Sequence, residues 1–182
     1  MASNRPTGRP RGPNILVTGT PGCGKTSTSS MLANATGLRH INVGEFVRTN
    51  ELHDGWDDEY SCYIVNEDKL CDELEDTMCE GGNIVDYHIC EFFPERWFDG
   101  VVVLQTDNSV LYERLTARGY SGRKLSENME CEIMQVVLES ARESYKPEIV
   151  MAMQSNTVED MDRNVETLKG WIDVYARTRS VQ

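Results

Sequence analysis

No run in the 182-residue sequence approaches the roughly 18 consecutive apolar side chains that a membrane-spanning helix needs, so no membrane association is expected. The opening residues, Met1-Ala-Ser-Asn-Arg-Pro, lack the apolar stretch of a secretory signal, and a location in nucleus or cytoplasm is expected instead. Cysteine occurs at 23, 62, 71, 79, 90 and 131, but never as a CxxC pair or with the spacing of a Cys/His metal site. In an intracellular chain these read as reduced, mostly buried small hydrophobes. Positive charge is scarce: 18 basic residues stand against 30 acidic ones, a net charge of −12. Arg5, Arg9 and Arg11 fall within residues 1–13 with no acid beside them, leaving 15 basic against 30 acidic residues, −15, for the rest. Such a body repels a phosphate backbone, which argues against a broad nucleic-acid surface and suits a basic protein partner. Solubility alone accounts for the same charge equally well.

Residues 1–13 hold three of the six prolines and no periodicity, and read as a disordered basic tail. From Asn14 to residue 182 the pattern is that of one domain, alternating strand and helix. Ile15-Leu16-Val17 is a short apolar run ending in glycines, followed by a Ser/Thr-rich helix to about Ala35. Further strands are expected at His40–Val43, Ile84-Val85, Val101–Leu104 and Ile149–Met153. Leu70, Leu74 and Met78 recur every fourth residue on one helix, while Ile133, Val137 and Met134, Leu138 form the stripe of another. A last helix carries Val158, Met161, Val165, Leu168, Ile172 and Tyr175, spaced to lie against a sheet. Alternating βα units predict a doubly wound, parallel, five-stranded sheet with its ligand site at the carboxyl ends of the strands.

Gly19-Thr-Pro-Gly-Cys-Gly24-Lys25-Thr26 fits G-x-x-x-x-G-K-[ST], after a strand and opening a helix. Glycines let such a loop wrap phosphate oxygens with its N–H groups, and the helix N-terminus adds partial positive charge. Gly22, Gly24, Lys25, Thr26 and Ser27 are therefore candidate ATP contacts. Lys25 is placed on the β- and γ-phosphates, and the Thr26 hydroxyl on Mg²⁺. Cys23 allows two readings: a thiol made oxidisable by Lys25 and the helix terminus, or, favoured, a tolerated filler. Ile84-Val85-Asp86 looks like a strand delivering a carboxylate to the Mg²⁺ shell. His88, two residues on, would share that face if the strand continued, either orienting water or touching a phosphate, or else serving as a hydrogen-bonded core histidine.

The guanine-reading Asn-Lys-x-Asp sequence is absent, as is Leu-Ser-Gly-Gly-Gln. Arg114 and Arg118 lie four apart on one helical face before Gly119, with Arg123 and Lys124 close behind. This clustering favours the nucleoside-monophosphate-kinase type of P-loop protein, whose arginines close over phosphates. Asn14-Ile-Leu-Val-Thr-Gly-Thr-Pro-Gly, Ile41-Asn-Val-Gly, Gly82-Asn-Ile-Val-Asp-Tyr-His, Phe92-Phe-Pro-Glu-Arg-Trp-Phe98, Leu111-Tyr-Glu-Arg-Leu and Arg118-Gly-Tyr together resemble the adenylate kinase isoenzyme 6 family, also called coilin-interacting nuclear ATPases. The resemblance runs from about Asn14 to Trp171. It implies an NMP-binding segment at about 42–65 with Arg48 on the AMP phosphate, and a short lid at about 117–127 with Arg118 on ATP. That lid has no cysteine for a zinc staple. Asn156 and Thr157 fall where the family contacts adenine. Cys23, Glu91 and Gln105 depart from the family pattern.

The resemblance implies adenylate kinase activity, ATP + AMP ⇌ 2 ADP, with ATPase activity, and work in small-ribosomal-subunit maturation through a basic ribosomal protein. The catalytic set is then Lys25, Asp86, His88 and Arg118, with Mg²⁺ on Thr26 and Asp86. The alternative is an ATP-switched assembly factor, in which hydrolysis releases the ribosomal partner and kinase activity is incidental.

Overall fold

A computed structural model describes residues 12–179. The chain runs β1 (Ile15–Thr18), α1 (Lys25–Thr36), β2 (Arg39–Asn42), α2 (Val43–Thr49), β3 (His53–Asp57), β4 (Cys62–Val65), α3 (Glu67–Glu80) and β5 (Asn83–Asp86). It continues through β6 (Gly100–Gln105), α4 (Asn108–Ala117), α5 (Gly122–Ile133), α6 (Val136–Ser144), β7 (Val150–Gln154) and α7 (Val158–Arg179). Five strands pair in the order β2-β5-β1-β6-β7, every pair parallel, giving the expected doubly wound sheet.

Both faces of that sheet are covered, so successive residues of a central strand feed different cores. Leu16, Val101 and Val103 join one cluster with Leu70, Leu74 and Met78 of α3. Ile15, Val17, Val102 and Leu104 join the other, with Leu111 and Leu115 of α4 and Val165, Leu168 and Ile172 of α7. The uninterrupted apolar runs in β1 and β6 are what burial on both sides requires. The strand order reverses beside β1, which opens a crevice at the carboxyl ends of β1 and β5.

Several boundaries differ from the sequence reading. Residues 1–11 of the expected tail lie outside the described residues. Pro13 is buried, and Gly12 accepts a hydrogen bond from the Gly82 N–H at 3.0 Å, so this end of it belongs to the body. Val43 begins α2 rather than ending β2, because the Asn42 side chain caps the helix by accepting from the Glu45 N–H at 2.9 Å. The 42–65 segment holds, besides α2, an antiparallel hairpin of β3 and β4 that periodicity did not suggest. The stripe through Ile133 and Leu138 is broken. Gln135 takes a left-handed φ of 54°, separating α5 from α6, so Leu138 is buried while Ile133 and Met134 are 55% and 66% exposed.

Candidate functional site

The loop between β1 and α1 folds as the motif requires. Gly19 has φ +149°, and a Cβ there would stand 2.7 Å from the Leu104 carbonyl oxygen; at Gly22 it would meet Leu111 and Leu115 of α4 at 2.9 and 3.0 Å. Only glycine lets the loop lie this close to β6 and α4. Polar contacts add to this packing. Thr20 donates its hydroxyl to Glu132 Oε2 at 2.6 Å, and Ser155 donates its own to the Cys23 carbonyl at 2.7 Å. The other oxygen of Glu132 accepts from the Thr106 N–H at 2.8 Å.

Lys25 folds back over the loop, donating to the carbonyls of Gly19 and Thr20 at 3.0 and 3.2 Å. Burial pushes its pKa down; Arg118 adds to that shift, while Asp86 and Glu132 oppose it. The Cys23 thiol, wholly buried, is pushed up to about 11 by that burial and then by Glu132, so it is an inert filler rather than an oxidisable thiolate.

Lys25, Thr26, Asp86, His88, Arg48 and Arg118 all line one cleft of about 770 Å³ above the strand ends, a volume suited to a small-molecule ligand. Asp86, 3% exposed, takes two bonds on Oδ2: from Asn42 Nδ2 at 3.1 Å and from His40 Nε2 at 3.2 Å. Asn42 Nδ2 also donates to the Thr26 hydroxyl at 3.2 Å. A hydroxyl and a carboxylate oxygen gathered at one point fit a hard divalent cation. His88 does not share a strand face with Asp86, since β5 ends at Asp86 and the chain bends. Its ring nevertheless opens onto the cleft, and crowding by the protein, with Lys25 second, lowers its pKa to about 4, against a smaller pull from Asp86.

The two arginines of α4 part company. Arg118, at the C-cap, is exposed on the cleft. Arg114 turns to the loop instead, donating to the carbonyls of Ser155 and Asn156 at 2.8 Å each and of Gly22 at 3.3 Å. Helical spacing puts both on one face, and burial then divides them.

Asn156 and Thr157 do not line the cleft. Asn156 Oδ1 accepts from the Asp107 N–H at 2.7 Å, and both residues donate backbone N–H groups to Asp160 at 3.0 and 3.3 Å, which ties this turn to the start of α7. Gly22, Gly24 and Ser27 also lie off the cleft wall, and Gln105 opens on a second, polar pocket of about 420 Å³ beside Glu132.

Above the cleft the hairpin turn meets the start of α5. Arg123 donates to Glu59 and to Glu127, both at 2.6 Å; Tyr60 donates its hydroxyl to Glu127 at 2.8 Å; and Lys124 donates to the Tyr60 carbonyl at 2.7 Å. This clasp joins the expected NMP-binding segment to the expected lid. Sequence reasoning assigned nothing to Asn42, His40 or Glu132. The signal for the first two was a pair of polar residues flanking buried Ile41 at the end of a strand.

This sheet order, loop and cleft define a P-loop kinase fold. The solved structure of shikimate kinase from Acinetobacter baumannii in complex with shikimate matches it with a TM-score of 0.63 over 88% of this chain and 93% of its own, at 16% identity. A family profile described as AAA domain covers residues 15–135. The adenylate kinase isoenzyme 6 homolog of Dictyostelium discoideum is 54% identical over 160 residues, 88% of this chain and 91% of its own. That of Saccharomyces cerevisiae is 50% identical over 161 residues, 88% and 82% respectively. The chain belongs to the adenylate kinase isoenzyme 6 family and is a P-loop nucleotide kinase.

Proposed function

We propose that the chain catalyses ATP + AMP ⇌ 2 ADP, with ATPase activity in the same cleft. The observation that carries this is Arg48. It stands in the last turn of α2 and lines the same cleft as Lys25, Thr26 and Asp86, where a second phosphate-bearing ligand would meet it. A phosphate oxygen of AMP displaces ADP at the γ-phosphorus; one P–O bond forms as another breaks, and no covalent enzyme intermediate is needed. Lys25 leaves its loop carbonyls for the transferring phosphoryl group, and Arg118 adds charge from the mouth of α4. Thr26 and Asp86 would hold Mg²⁺, which when bound neutralises phosphate charge. Arg48 orients the acceptor. Gly22, Gly24 and Ser27 belong to the phosphate loop and the first turn of α1 behind the cleft wall, and Asn156 and Thr157, tied to Asp107 and Asp160 off the cleft, carry no adenine contact in this reading.

A second reading, an ATP-switched assembly factor, has its own support in His88. This neutral imidazole on the cleft wall can orient a water for hydrolysis. The exposed face of α3, with Glu67, Asp68, Asp72, Glu73 and Asp76, suits a basic partner such as a small-subunit ribosomal protein, met in nucleus or cytoplasm. ADP production from ATP, measured with and without AMP, separates the two. Arg48→Ala should raise the AMP requirement and spare basal hydrolysis. Asp86→Ala should impair both reactions, and His88→Gly chiefly hydrolysis. Equal loss of both activities in folded Arg48→Ala protein would contradict the kinase assignment of Arg48.

A further inference from the structure

We propose that Asn42 is a positioning residue that sets the Thr26–Asp86 pair and the acceptor helix α2 with one side chain, an inference that rests on the phosphotransfer reading above. Asn42 ends β2, in register with Asp86 on the neighbouring strand β5. Its amide has two N–H donors and one carbonyl acceptor, and each has a partner. One N–H goes to the Thr26 hydroxyl at 3.2 Å, the other to Asp86 Oδ2 at 3.1 Å, and Oδ1 accepts from the Glu45 N–H at 2.9 Å. The reverse amide orientation would face a carbonyl oxygen against the carboxylate and strand the first-turn N–H of α2. The network therefore settles which way the amide points.

The chemistry of an amide suits this place. A neutral donor holds two oxygens near each other without bringing a positive charge that would compete with a cation. Lysine would neutralise Asp86. Serine would cap α2 equally well but could not reach both oxygens. Because Asn42 and His40 both bond Oδ2 of Asp86, its other oxygen is left to the cleft that Asp86 lines. The same side chain fixes the start of α2, six residues before Arg48, so donor-side and acceptor-side geometry share one origin.

Two substitutions separate the bridge from the cap. Asn42→Ser keeps a cap and loses the bridge, whereas Asn42→Ala loses both. The measurement is calorimetric binding of the non-hydrolysable analogue AMP-PNP with and without Mg²⁺, then of AMP, on variants whose far-UV circular dichroism is native. In both variants the Mg²⁺-dependent gain in AMP-PNP affinity should shrink roughly tenfold or more, as for residues that orient metal ligands, while metal-free affinity stays unchanged. AMP affinity should fall in Asn42→Ala alone. An undiminished Mg²⁺ gain in Asn42→Ser would overturn the positioning role and leave Asn42 a helix cap. No Mg²⁺ gain in the unsubstituted protein would instead overturn the phosphotransfer reading, and this inference with it.

Discussion

The floor and the roof of the cleft are held by different forces. On the floor, all four residues of β1 are buried, and the P-loop is pressed onto Leu104, Leu111 and Leu115 and tied by Glu132, Arg114 and Ser155. On the roof, α5 has no buried residue and the strands of the hairpin alternate between exposed and half-buried positions. Charge pairs and hydrogen bonds between Glu59, Tyr60, Arg123, Lys124 and Glu127 do the joining there. Apolar burial is not weakened by electrostatic screening, while exposed ion pairs are. The floor is thus built to keep one geometry, and solvent conditions can move the roof.

Removing Lys25 tests the chemical half of this contrast and should have the largest effect. Lys25→Ala should lower kinase and ATPase turnover by roughly 10²-fold or more, because a charge aimed at the transferring group is lost. The melting temperature should hardly fall, since burial already disfavours that charge in the folded chain. Near-normal turnover in folded protein would end the assignment of Lys25 to the transferring phosphoryl group. Arg114→Ala tests the structural half: it strands the carbonyls of Gly22, Ser155 and Asn156. It should cost about 1–3 kcal/mol by thermal or urea unfolding. Arg114→Lys should not restore it, because an ammonium lacks the planar fork that reaches several carbonyls at once. A loss no greater than that from Arg123→Ala on the roof would erase the distinction between the two regions.

The floor was also the part legible in the sequence, for the same physical reason. Burial on both faces imposes apolar runs on β1 and β6, and a phosphate loop needs glycine where a Cβ would strike a neighbour, so both leave a plain pattern. Leu70, Leu74 and Met78, spaced by four, were legible as the buried stripe of α3. The roof leaves no such trace. The hairpin residues His53–Asp57 and Cys62–Val65 bury little, and their pairing depends on a partner strand rather than on composition. The break at Gln135 has no glycine to announce it. Within the site, Arg114 and Arg118 are equivalent by periodicity, and only the loop packed over Arg114 separates them. Asn42 escaped because its three bonds join residues 3, 16 and 44 positions away, which no local pattern displays.

The smallest expected effect concerns the clasp itself. Arg123→Ala should leave the melting temperature in place, because its partners are exposed, yet release a fluorescent ADP analogue a few-fold faster in stopped flow. Added salt should speed release from the unsubstituted protein toward the rate of the variant, as the Debye length falls to about 8 Å near physiological ionic strength and shortens further above it. The pH dependence follows from two opposed shifts. The bond from Arg123, then that from Tyr60, lowers the Glu127 pKa, so its contribution is present above the usual carboxylate range and is lost as pH falls through the lowered value. The bond to Glu127 raises the Tyr60 pKa, so the contribution of its hydroxyl proton is present below 10 and is lost as pH rises through the raised value. Between those limits neither Glu127 nor Tyr60 changes charge. Release should therefore be flat across neutral pH while remaining salt-sensitive. An inflection near pH 7, or release indifferent to both salt and Arg123→Ala, would mean that something other than these charge pairs holds the roof.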